Sequence, residues 1–219
     1  MKINNRLRSV ASLVSCNTSI IDVGCDHALL SIYLYLNKEN VKVIASDVNE
    51  GPLKKAKENI KKYDLEDEIE VVLNDGIKNL DGFDTVIISG MGGLTVIDIL
   101  ENGNLENVNN IIVSPNNDED KVREKITNLG YYIDDELLIK EKGKYYFVIS
   151  FKKGKQNKIN YKYSEILLKK KDKTYSEYLT NEIRKNKEII SKLDNKHFLL
   201  KAKLIVKNKK IENILEKYS

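Results

Sequence analysis

The chain has little cysteine, proline or tryptophan and no long hydrophobic run, and these shortages exclude several classes of protein. Its two cysteines, Cys16 and Cys25, are too few for a disulfide scaffold, and no second Cys/His pair supports a zinc site. No run of about 18 apolar residues is present, and the first residues lack the apolar core of a signal peptide. We therefore expect a soluble, cytoplasmic protein without a membrane segment or a bound metal.

Acidic residues are scarce in the last part of the chain. Residues 154–219 contain 18 Lys and Arg against 8 Asp and Glu, a net charge of +10. Residues 1–153 contain 19 Lys and Arg against 25 Asp and Glu, a net charge of −6. An acidic region followed by a strongly basic one indicates a polyanionic partner. A helical hairpin with lysine-rich outer faces would show the same charge and is the alternative.

Glycine is also scarce where a phosphate-binding loop would need it. The segment 20–28 carries one glycine, Gly24, where a dinucleotide-binding loop has three, and Asp26 and His27 occupy the following positions. Apolar residues before Asp22 and a helical run after the loop predict a strand, a tight turn and a helix, which together direct backbone N–H groups at a ligand. Because a pyrophosphate would meet a carboxylate here, a cationic nucleoside such as S-adenosylmethionine fits better. An ordinary α/β turn is the alternative.

Strand-like and helix-like segments alternate through the first 153 residues. Short apolar runs predict seven strands, at residues 19–23, 41–46, 69–73, 84–89, 110–113, 132–139 and 145–151. Helical periodicity predicts five helices, at residues 6–14, 28–36, 52–63, 94–100 and 118–129. The alternation predicts an α/β fold with a doubly wound, mostly parallel sheet that ends in an antiparallel hairpin.

The apolar pattern changes after the polar segment 152–160. Apolar residues recur at intervals of three, four and seven on either side of a break at Asp194 and Asn195. They are Leu168, Tyr175, Leu179, Ile183, Ile190 and Leu193 before the break, and Phe198, Ala202, Ile205, Ile211 and Leu215 after it. The pattern predicts two long helices packed as an antiparallel coiled-coil hairpin. We therefore expect two domains, at residues 1–153 and 160–219.

Carboxylates stand at the ends of three successive predicted strands. Asp47 follows the second strand, about 20 residues beyond Gly24, where a carboxylate can accept hydrogen bonds from ribose hydroxyls. Asp75 follows the third strand and can accept from an adenine amino group, while Gly76 lets the loop approach the ring. Each could instead be a helix cap or an ordinary turn. Together with Asp22, however, their spacing favours a nucleoside site.

The loops after the fourth and fifth strands complete the same predicted edge. Three glycines in the segment Ser89–Gly93 favour a backbone that lies close to a ligand. Met91 could line an apolar slot or pack in the core, and Asn116 could present a polar side chain at the rim or belong to a turn. No nucleophilic arrangement is indicated, because Cys25 has only His27 nearby.

These motifs resemble one family in particular, the bacterial tRNA (adenine-N1)-methyltransferases of the TrmK type, which act on the adenine at tRNA position 22. The resemblance covers nearly the whole chain. It is carried by Arg6-Leu-x-x-Val-Ala11, Asp22-Val-Gly-Cys-Asp-His-Ala28, Gly51-Pro52, Asp75-Gly76, Ser89-Gly-Met-Gly-Gly93, Pro115-Asn116 and Glu141-x-Gly-Lys-Tyr-Tyr146. The chain departs from the family at Cys25, usually Ser, at Leu29 and Ser31, usually Tyr and Pro, and at Asp47, where Glu is expected.

The resemblance implies a Rossmann-like class I methyltransferase domain, S-adenosylmethionine as donor and N1 of adenine 22 in tRNA as acceptor. Separately, we expect a monomer, although the helical hairpin could instead dimerise. The implied donor-binding residues are Asp22, Gly24, Cys25, Asp47, Val48, Asp75, Gly76, Ser89 and Gly90. The expected substrate-binding residues are Arg6, Arg8, Met91, Gly92, Asn116, Lys169, Lys170 and Lys171, of which the basic ones are chosen as candidates for phosphate contacts.

The expected catalytic residues are Asp26 and His27. Adenine N1 already has an in-plane lone pair, so positioning supplies most of the rate enhancement. The methylated ring is cationic, and Asp26 is the candidate for stabilising its charge or accepting an amino proton. His27 either orients the base or caps the following helix.

Other functions are compatible with the same sequence. One is a methyltransferase that acts on a different RNA or on a small molecule, and another is a non-catalytic RNA-binding protein that retains the fold. A nicotinamide-dependent dehydrogenase is disfavoured, because the phosphate-binding glycines are absent.

Overall fold

The computed structural model of this chain describes residues 1–157 and 159–218. The chain divides into two compact units, Met1–Tyr163 and a second unit that begins at Ser164. None of the described helices is long and apolar enough to cross a membrane.

The first unit is built on a seven-stranded sheet with the strand order β3-β2-β1-β4-β5-β7-β6. The strands are β1 (Thr18–Val23), β2 (Val41–Asp47), β3 (Ile69–Leu73), β4 (Thr85–Ser89), β5 (Asn110–Ser114), β6 (Tyr131–Glu141) and β7 (Lys144–Lys153). Strands β1 to β5 are parallel, whereas β7 pairs antiparallel with both β5 and β6. The predicted mostly parallel sheet with a terminal hairpin is therefore confirmed.

Five helices accompany the sheet within the described part of the first unit. They are α1 (Asn5–Ser12), α2 (Leu29–Asn37), α3 (Glu50–Lys61), α4 (Gly93–Glu101) and α5 (Glu119–Asn128). Apolar residues of α1, α2 and α3 form one buried cluster with β1, β2, β4 and β5, while α4 and α5 pack on each other. Pro52 is the third residue of α3, so it lies in the first turn, where a missing N–H breaks no helical hydrogen bond.

The strand register brings the predicted functional residues to one face of the sheet. Asp22 is paired with Ala45 of β2 and with Ile87 of β4, and all three belong to parallel strands. Paired residues of parallel strands point to the same face, and so do residues two positions further along. Asp47 and Ser89 therefore share the face of Asp22. The strand order reverses at β1, and ligands of open α/β sheets bind at such a point, beyond the carboxyl ends of the strands.

The β6–β7 hairpin extends beyond the carboxyl end of β5. Val113, next to the last residue of β5, is paired with Ile149, so residues 144–147 continue past the end of that strand. The turn has Lys142 at φ 49° and Gly143 at φ 78°. Two successive positive φ angles match the right-handed twist of a hairpin, and the predicted turn is confirmed.

The second unit contains α6 (Glu165–Lys169), α7 (Lys173–Lys192) and α8 (Phe198–Tyr218), with a 3₁₀ turn at Asn195–His197. The two predicted long helices are confirmed, and they contact each other. In that contact the buried Asn186 side-chain amide donates a hydrogen bond to Asn208 Oδ1 over 2.7 Å. The short helix α6 was not predicted.

The predicted apolar stripe of α8 is only partly buried. Ile211 is 1% exposed, whereas Phe198 and Ile205 are 64% and 52% exposed. Ile205 and Ile211 are six positions apart, which separates them by about 120° around a helix of 3.6 residues per turn. One buried face therefore cannot include both residues, and the prediction that all of them pack together is wrong for the first half of α8.

Candidate functional site

A cavity of about 390 Å³ opens at the carboxyl ends of β1, β2 and β4. Eleven of the predicted site residues line it: Arg6, Asp22, Gly24, Cys25, Asp26, His27, Asp47, Val48, Ser89, Gly90 and Met91. Four lining residues were not predicted: Leu7, Leu29, Leu30 and Asn49. No ligand-binding role is predicted for the three leucines, because they fall within predicted helices, and Asn49 lies in a turn without a motif of its own.

Asp22 is the most deeply buried carboxylate of the cavity. It is 3% exposed, and its Oδ2 accepts a hydrogen bond from Ser31 Oγ over 2.7 Å. Burial raises the pKa of Asp22 from 3.8 to about 6, the hydrogen bonds from Ser31 oppose the rise, and the charge of Asp47 adds to it. The site therefore holds a carboxylate whose ionisation is costly until a cation is nearby.

The loop after β1 has an unusual backbone. Gly24, Asp26 and Ala28 have φ angles of 69°, 51° and 53°, in the left-handed region. The N–H groups of Gly24 and Cys25 donate to the carbonyl oxygen of Ser46 over 2.8 and 2.9 Å. These two amides are used in hydrogen bonds to the neighbouring strand β2 and are not available to a ligand.

Gly24 is in close contact with the loop after β4. A Cβ atom at this position would lie 2.1 Å from Met91 Cε. The methionine side chain therefore rests on the glycine, and Gly24 is required both for its φ angle and for the space it leaves open. The sequence left open whether Met91 packs against other residues or lines an apolar slot. Its side chain packs on Gly24 and also lines the cavity.

Asp26 and His27 lie at the mouth of the cavity. Their side chains are 71% and 37% exposed, and His27 Nε2 is 3.6 Å from Asp26 Oδ1, too far for a hydrogen bond. The carbonyl oxygen of His27 accepts from the Asn59 side chain over 3.0 Å. Ala28, not His27, is the N-cap residue of α2, and its side chain makes no capping hydrogen bond. Of the two roles predicted for His27, the cap is therefore excluded.

Cys25 is an unreactive thiol in this environment. Burial raises the pKa of Cys25 far above its usual value, and the charges of Asp22, Asp47 and Asp26 raise it further. A thiol that stays protonated is a poor nucleophile, which agrees with the absence of a nucleophilic motif in the sequence.

Asp47 ends β2 with one carboxylate oxygen already used. It is 8% exposed, and its Oδ1 accepts from the backbone N–H of Asn49 over 3.0 Å. Its backbone carbonyl accepts from Asn74 over 3.0 Å. Among the described residues no donor is bonded to Oδ2, so this oxygen can accept from a ligand.

The loop after β4 is held by Asn116. Its side-chain amide donates to the carbonyl oxygen of Gly90 over 2.6 Å, and its backbone N–H donates to that of Met91 over 2.8 Å. Ser89 Oγ is buried and has no hydrogen-bond partner within the described residues. Because a buried hydroxyl without a partner is costly, Ser89 is suited to a ligand that supplies one.

Several predicted residues lie outside the lining of this cavity. The Asp75 side chain is 69% exposed and pairs with Lys78 Nζ at 2.6 Å, and Gly76 follows it. Arg8 is an exposed residue of α1, and Gly92 is the N-cap residue of α4. Asn117, which was not predicted, accepts from the first N–H group of α4, that of Gly93, over 2.8 Å.

The predicted lysines belong to the second unit. Lys169 is the last residue of α6 and Lys170 is its C-cap residue. Lys171 follows with a φ angle of 50°. Lys169 also forms an ion pair with Glu165 at 3.6 Å.

A larger cavity, of about 590 Å³, lies between α3 and β3. It is lined by charged side chains of both signs, among them Lys57, Lys61 and Glu70, around Ile69 at the amino end of β3. Ligands of this fold bind at carboxyl ends of strands, so we assign function to the smaller cavity. In the part of the chain that the structure describes, no group of three or more His, Cys, Asp or Glu residues is arranged to hold a metal ion.

Comparison with known proteins adds independent information. Residues 3–149 match a family profile described as a methyltransferase domain. A tRNA (adenine(22)-N(1))-methyltransferase of Bacillus subtilis (strain 168) is 32% identical over 158 residues, which span 70% of this chain and 66% of that protein.

Solved structures match over almost the full length. Sp1610 of Streptococcus pneumoniae is 31% identical with a TM-score of 0.91, covering 98% of this chain and all of that one. Another structure of Sp1610 contains S-adenosyl-L-methionine. TrmK of M. capricolum, solved with S-adenosyl-homocysteine, is 28% identical with a TM-score of 0.88 and full coverage of both chains.

Proposed function

The chain belongs to the family of bacterial tRNA (adenine(22)-N(1))-methyltransferases, and we propose on that premise that it methylates N1 of adenine 22 in tRNA with S-adenosylmethionine as donor. The observation that carries the proposal is the gathering of Asp22, Asp26 and Asp47 around the Gly24 loop in one cavity. Three carboxylates at the carboxyl ends of the strands of a Rossmann-like sheet suit a cationic nucleoside and disfavour a phosphorylated one.

The residues of the cavity fit this donor. When bound, S-adenosylmethionine supplies an electrophilic methyl group on a positively charged sulfur. The Asp47 carboxylate has an oxygen available for ribose hydroxyls, and Ser89 offers a buried hydroxyl without a partner. Gly24 has no side chain, which leaves room for Met91 to pack on it, and ionised Asp22 adds negative charge to the cavity.

Asp75 and Gly76 fit the proposed adenine end less directly. Asp75 is paired with Lys78 at 2.6 Å and lies outside the lining of the cavity. For Asp75 to contact the amino group of the donor, its carboxylate must therefore release Lys78 and bind the ligand instead.

We propose that Asp26 and His27 act on the acceptor base. Asp26 is held at the mouth of the cavity by a left-handed backbone, where an incoming adenine passes it. As N1 becomes bonded to carbon, positive charge develops on the ring, and a fixed carboxylate stabilises that charge. His27 lies beside Asp26 and presents a flat ring that can orient the base. Met91 lines the same cavity, whereas Gly92 and Asn116 lie outside its lining, and Asn116 holds the loop that carries Met91.

The second unit is proposed to provide most of the affinity for tRNA. Residues 164–219 contain 15 Lys and Arg against 8 Asp and Glu, a net charge of +7, and Lys169, Lys170 and Lys171 form the densest run of like charge in this unit. Arg8 adds a cation on the catalytic unit. We propose that the enzyme acts in the cytoplasm, where tRNA is modified, and its monomeric state stays a prediction.

The direct test is methyl transfer to unmodified tRNA transcripts, followed by nucleoside mass spectrometry and mapping of the modified position. We expect 1-methyladenosine at position 22 and no product from a transcript with guanosine there. Methylation at another position, or donor binding without transfer to any tRNA, would contradict the proposed acceptor.

Asp26→Asn and Asp26→Ala test the role of the carboxylate. Removing the charge at an electrostatic centre should lower turnover about 100-fold. Affinity for S-adenosylhomocysteine, measured by calorimetry, should change little, because the Asp26 side chain is largely exposed. Turnover close to that of the unchanged protein in either variant would remove Asp26 from the mechanism.

A further inference from the structure

Arg6 reaches the cavity from α1 and is held from two sides. Its Cζ atom lies 5.2 Å from the centre of the Tyr146 ring, within the range of a cation–π contact. At the other side its guanidinium borders Gly90, where a Cβ atom would lie 3.2 Å from Arg6 Nη2. The side chain is therefore fixed between the ring and the loop after β4.

The guanidinium of Arg6 forms no ion pair with any described residue. Among the described residues that line the cavity, Arg6 is the only Lys or Arg, whereas Asp22, Asp26 and Asp47 are carboxylates. No carboxylate of the described chain lies within ion-pair distance of its guanidinium. Arginine stays charged at every accessible pH, so this group has a positive charge and several N–H donors without an anionic partner.

On the basis of the proposed function, we propose that Arg6 is the oxyanion-binding residue of the cavity and that Tyr146 positions it. A guanidinium binds carboxylate and phosphate in the same two-pronged way. Two such oxyanions reach this site in the proposed reaction. They are the carboxylate of the methionine portion of the donor and a phosphate beside the target adenosine.

The position of Tyr146 explains how the fold holds the guanidinium. Tyr146 belongs to the part of β7 that extends past the carboxyl end of β5, beside the cavity. The same hairpin contacts α1 through Glu141, which accepts from the Asn5 N–H group over 3.3 Å. The ring is therefore anchored to the sheet, and its face limits where the flexible Arg6 side chain can place its charge.

Binding measurements on the full chain separate the two sources of the oxyanion. The variants are Arg6→Ala, Tyr146→Leu and Tyr146→Phe, with Lys61→Ala, an exposed residue at the end of α3, as the control for loss of one positive charge. S-Adenosylhomocysteine and 5′-methylthioadenosine serve as probes, because only the first carries the carboxylate. Binding of tRNA is measured over a series of salt concentrations.

Either source gives a distinct result. If Arg6 binds the donor carboxylate, Arg6→Ala should weaken S-adenosylhomocysteine about 10- to 100-fold and leave methylthioadenosine unchanged. If Arg6 binds phosphate, both nucleosides should bind normally. KM for tRNA should then rise, and the slope of log affinity against log salt should fall by about 0.7 to 0.9, while Lys61→Ala leaves the KM unchanged.

Other results overturn the proposal. Equal losses of affinity for both nucleosides in Arg6→Ala would mean that Arg6 only supports the fold of the cavity. Nucleoside and tRNA affinities that change no more than in Lys61→Ala would mean that Arg6 binds no oxyanion. Tyr146→Leu should show part of the loss of affinity seen in Arg6→Ala. Tyr146→Phe should bind like the unchanged protein, because the aromatic ring is kept. A Phe variant as weak as the Leu variant would refute the positioning role.

These readouts do not require methyl transfer. A protein that binds S-adenosylhomocysteine through Arg6 but forms no 1-methyladenosine would contradict the proposed function and leave this inference intact. Conversely, the unchanged protein could methylate adenine 22 while the Arg6→Ala variant binds both nucleosides and tRNA normally. That result would contradict only the inference.

Discussion

Replacement of Asp22 by Asn should make the ligand-free protein more stable at neutral pH and poorer at binding its donor. Asp22 is 3% exposed and its only side-chain partner within the described residues is the Ser31 hydroxyl. An asparagine has nearly the same shape, and its Oδ1 can accept the same hydrogen bond. The substitution therefore removes the ionisation of Asp22 and keeps its packing.

The pKa shift gives the size of the effect. Burial raises the pKa of Asp22 from 3.8 to about 6. At 1.36 kcal/mol per pH unit, ionising this group in the folded protein costs about 3 kcal/mol more than in the unfolded chain. The folded state binds the proton more tightly, so its stability falls as the pH rises from about 4 to about 6. Above pH 6 the whole penalty is present.

Urea denaturation of the ligand-free proteins at pH 4 and pH 7.5, followed by circular dichroism, measures this difference. We expect the Asn variant to be more stable by about 3 kcal/mol at pH 7.5 and nearly equal to the unchanged protein at pH 4. Saturating S-adenosylmethionine should narrow this difference at pH 7.5, since a ligand stabilises the folded state by an amount that grows with the logarithm of its affinity and the Asn variant binds more weakly.

Two results would refute the reasoning. A difference in stability that is the same at both pH values would show that ionisation of Asp22 is not its cause. An Asn variant that is less stable at pH 7.5 without ligand would show that the carboxylate is favourably solvated or paired in the folded protein.

Two further predictions concern the start of α4 and the second unit. Gly93→Ala should destabilise the protein by about 2 kcal/mol in thermal denaturation, because its Cβ would lie 2.5 Å from the carbonyl oxygen of Asn117. Gly51→Ala, with no atom within 4 Å of the new Cβ, is the control and should be neutral or slightly stabilising; equal losses would contradict the packing argument. Combined replacement of Lys169 and Lys170 by Gln and of Lys171 by Asn should weaken tRNA binding in a salt-dependent manner and leave donor affinity unchanged, as a filter-binding assay and calorimetry would show. Unaltered tRNA affinity would remove these lysines from the interface.

The fold could be predicted from the sequence because its signals are local. Each parallel strand is a short apolar run that ends at a turn, and the carboxyl ends of parallel strands meet at one edge. That rule alone was sufficient to place Asp22, Asp47 and Ser89 together, although they lie 25 and 42 positions apart in the chain.

Contacts that depend on distant partners could not be predicted. The N–H groups of Gly24 and Cys25 are used by Ser46 of a neighbouring strand, and no local pattern indicates this. One local contact was missed as well: Asp75 follows its strand as expected, but it pairs with Lys78, three positions along the chain, and lies outside the cavity lining. The buried ion pair between Arg123 and Glu136, at 2.7 Å, likewise joins residues that sequence periodicity would leave on exposed faces.

The contact between the first helix and the last hairpin of the catalytic unit has a consequence for protein synthesis. Asn5 bonds to Glu141, 136 positions away, and Arg6 contacts Tyr146. Chains emerge from the ribosome with the N-terminus first, so α1 leaves long before the hairpin that completes the wall of the cavity. A nascent chain can form the early strands with their carboxylates, but Arg6 stays unconstrained until β7 has emerged. The enzyme therefore gains a complete site only when nearly the whole unit has been translated.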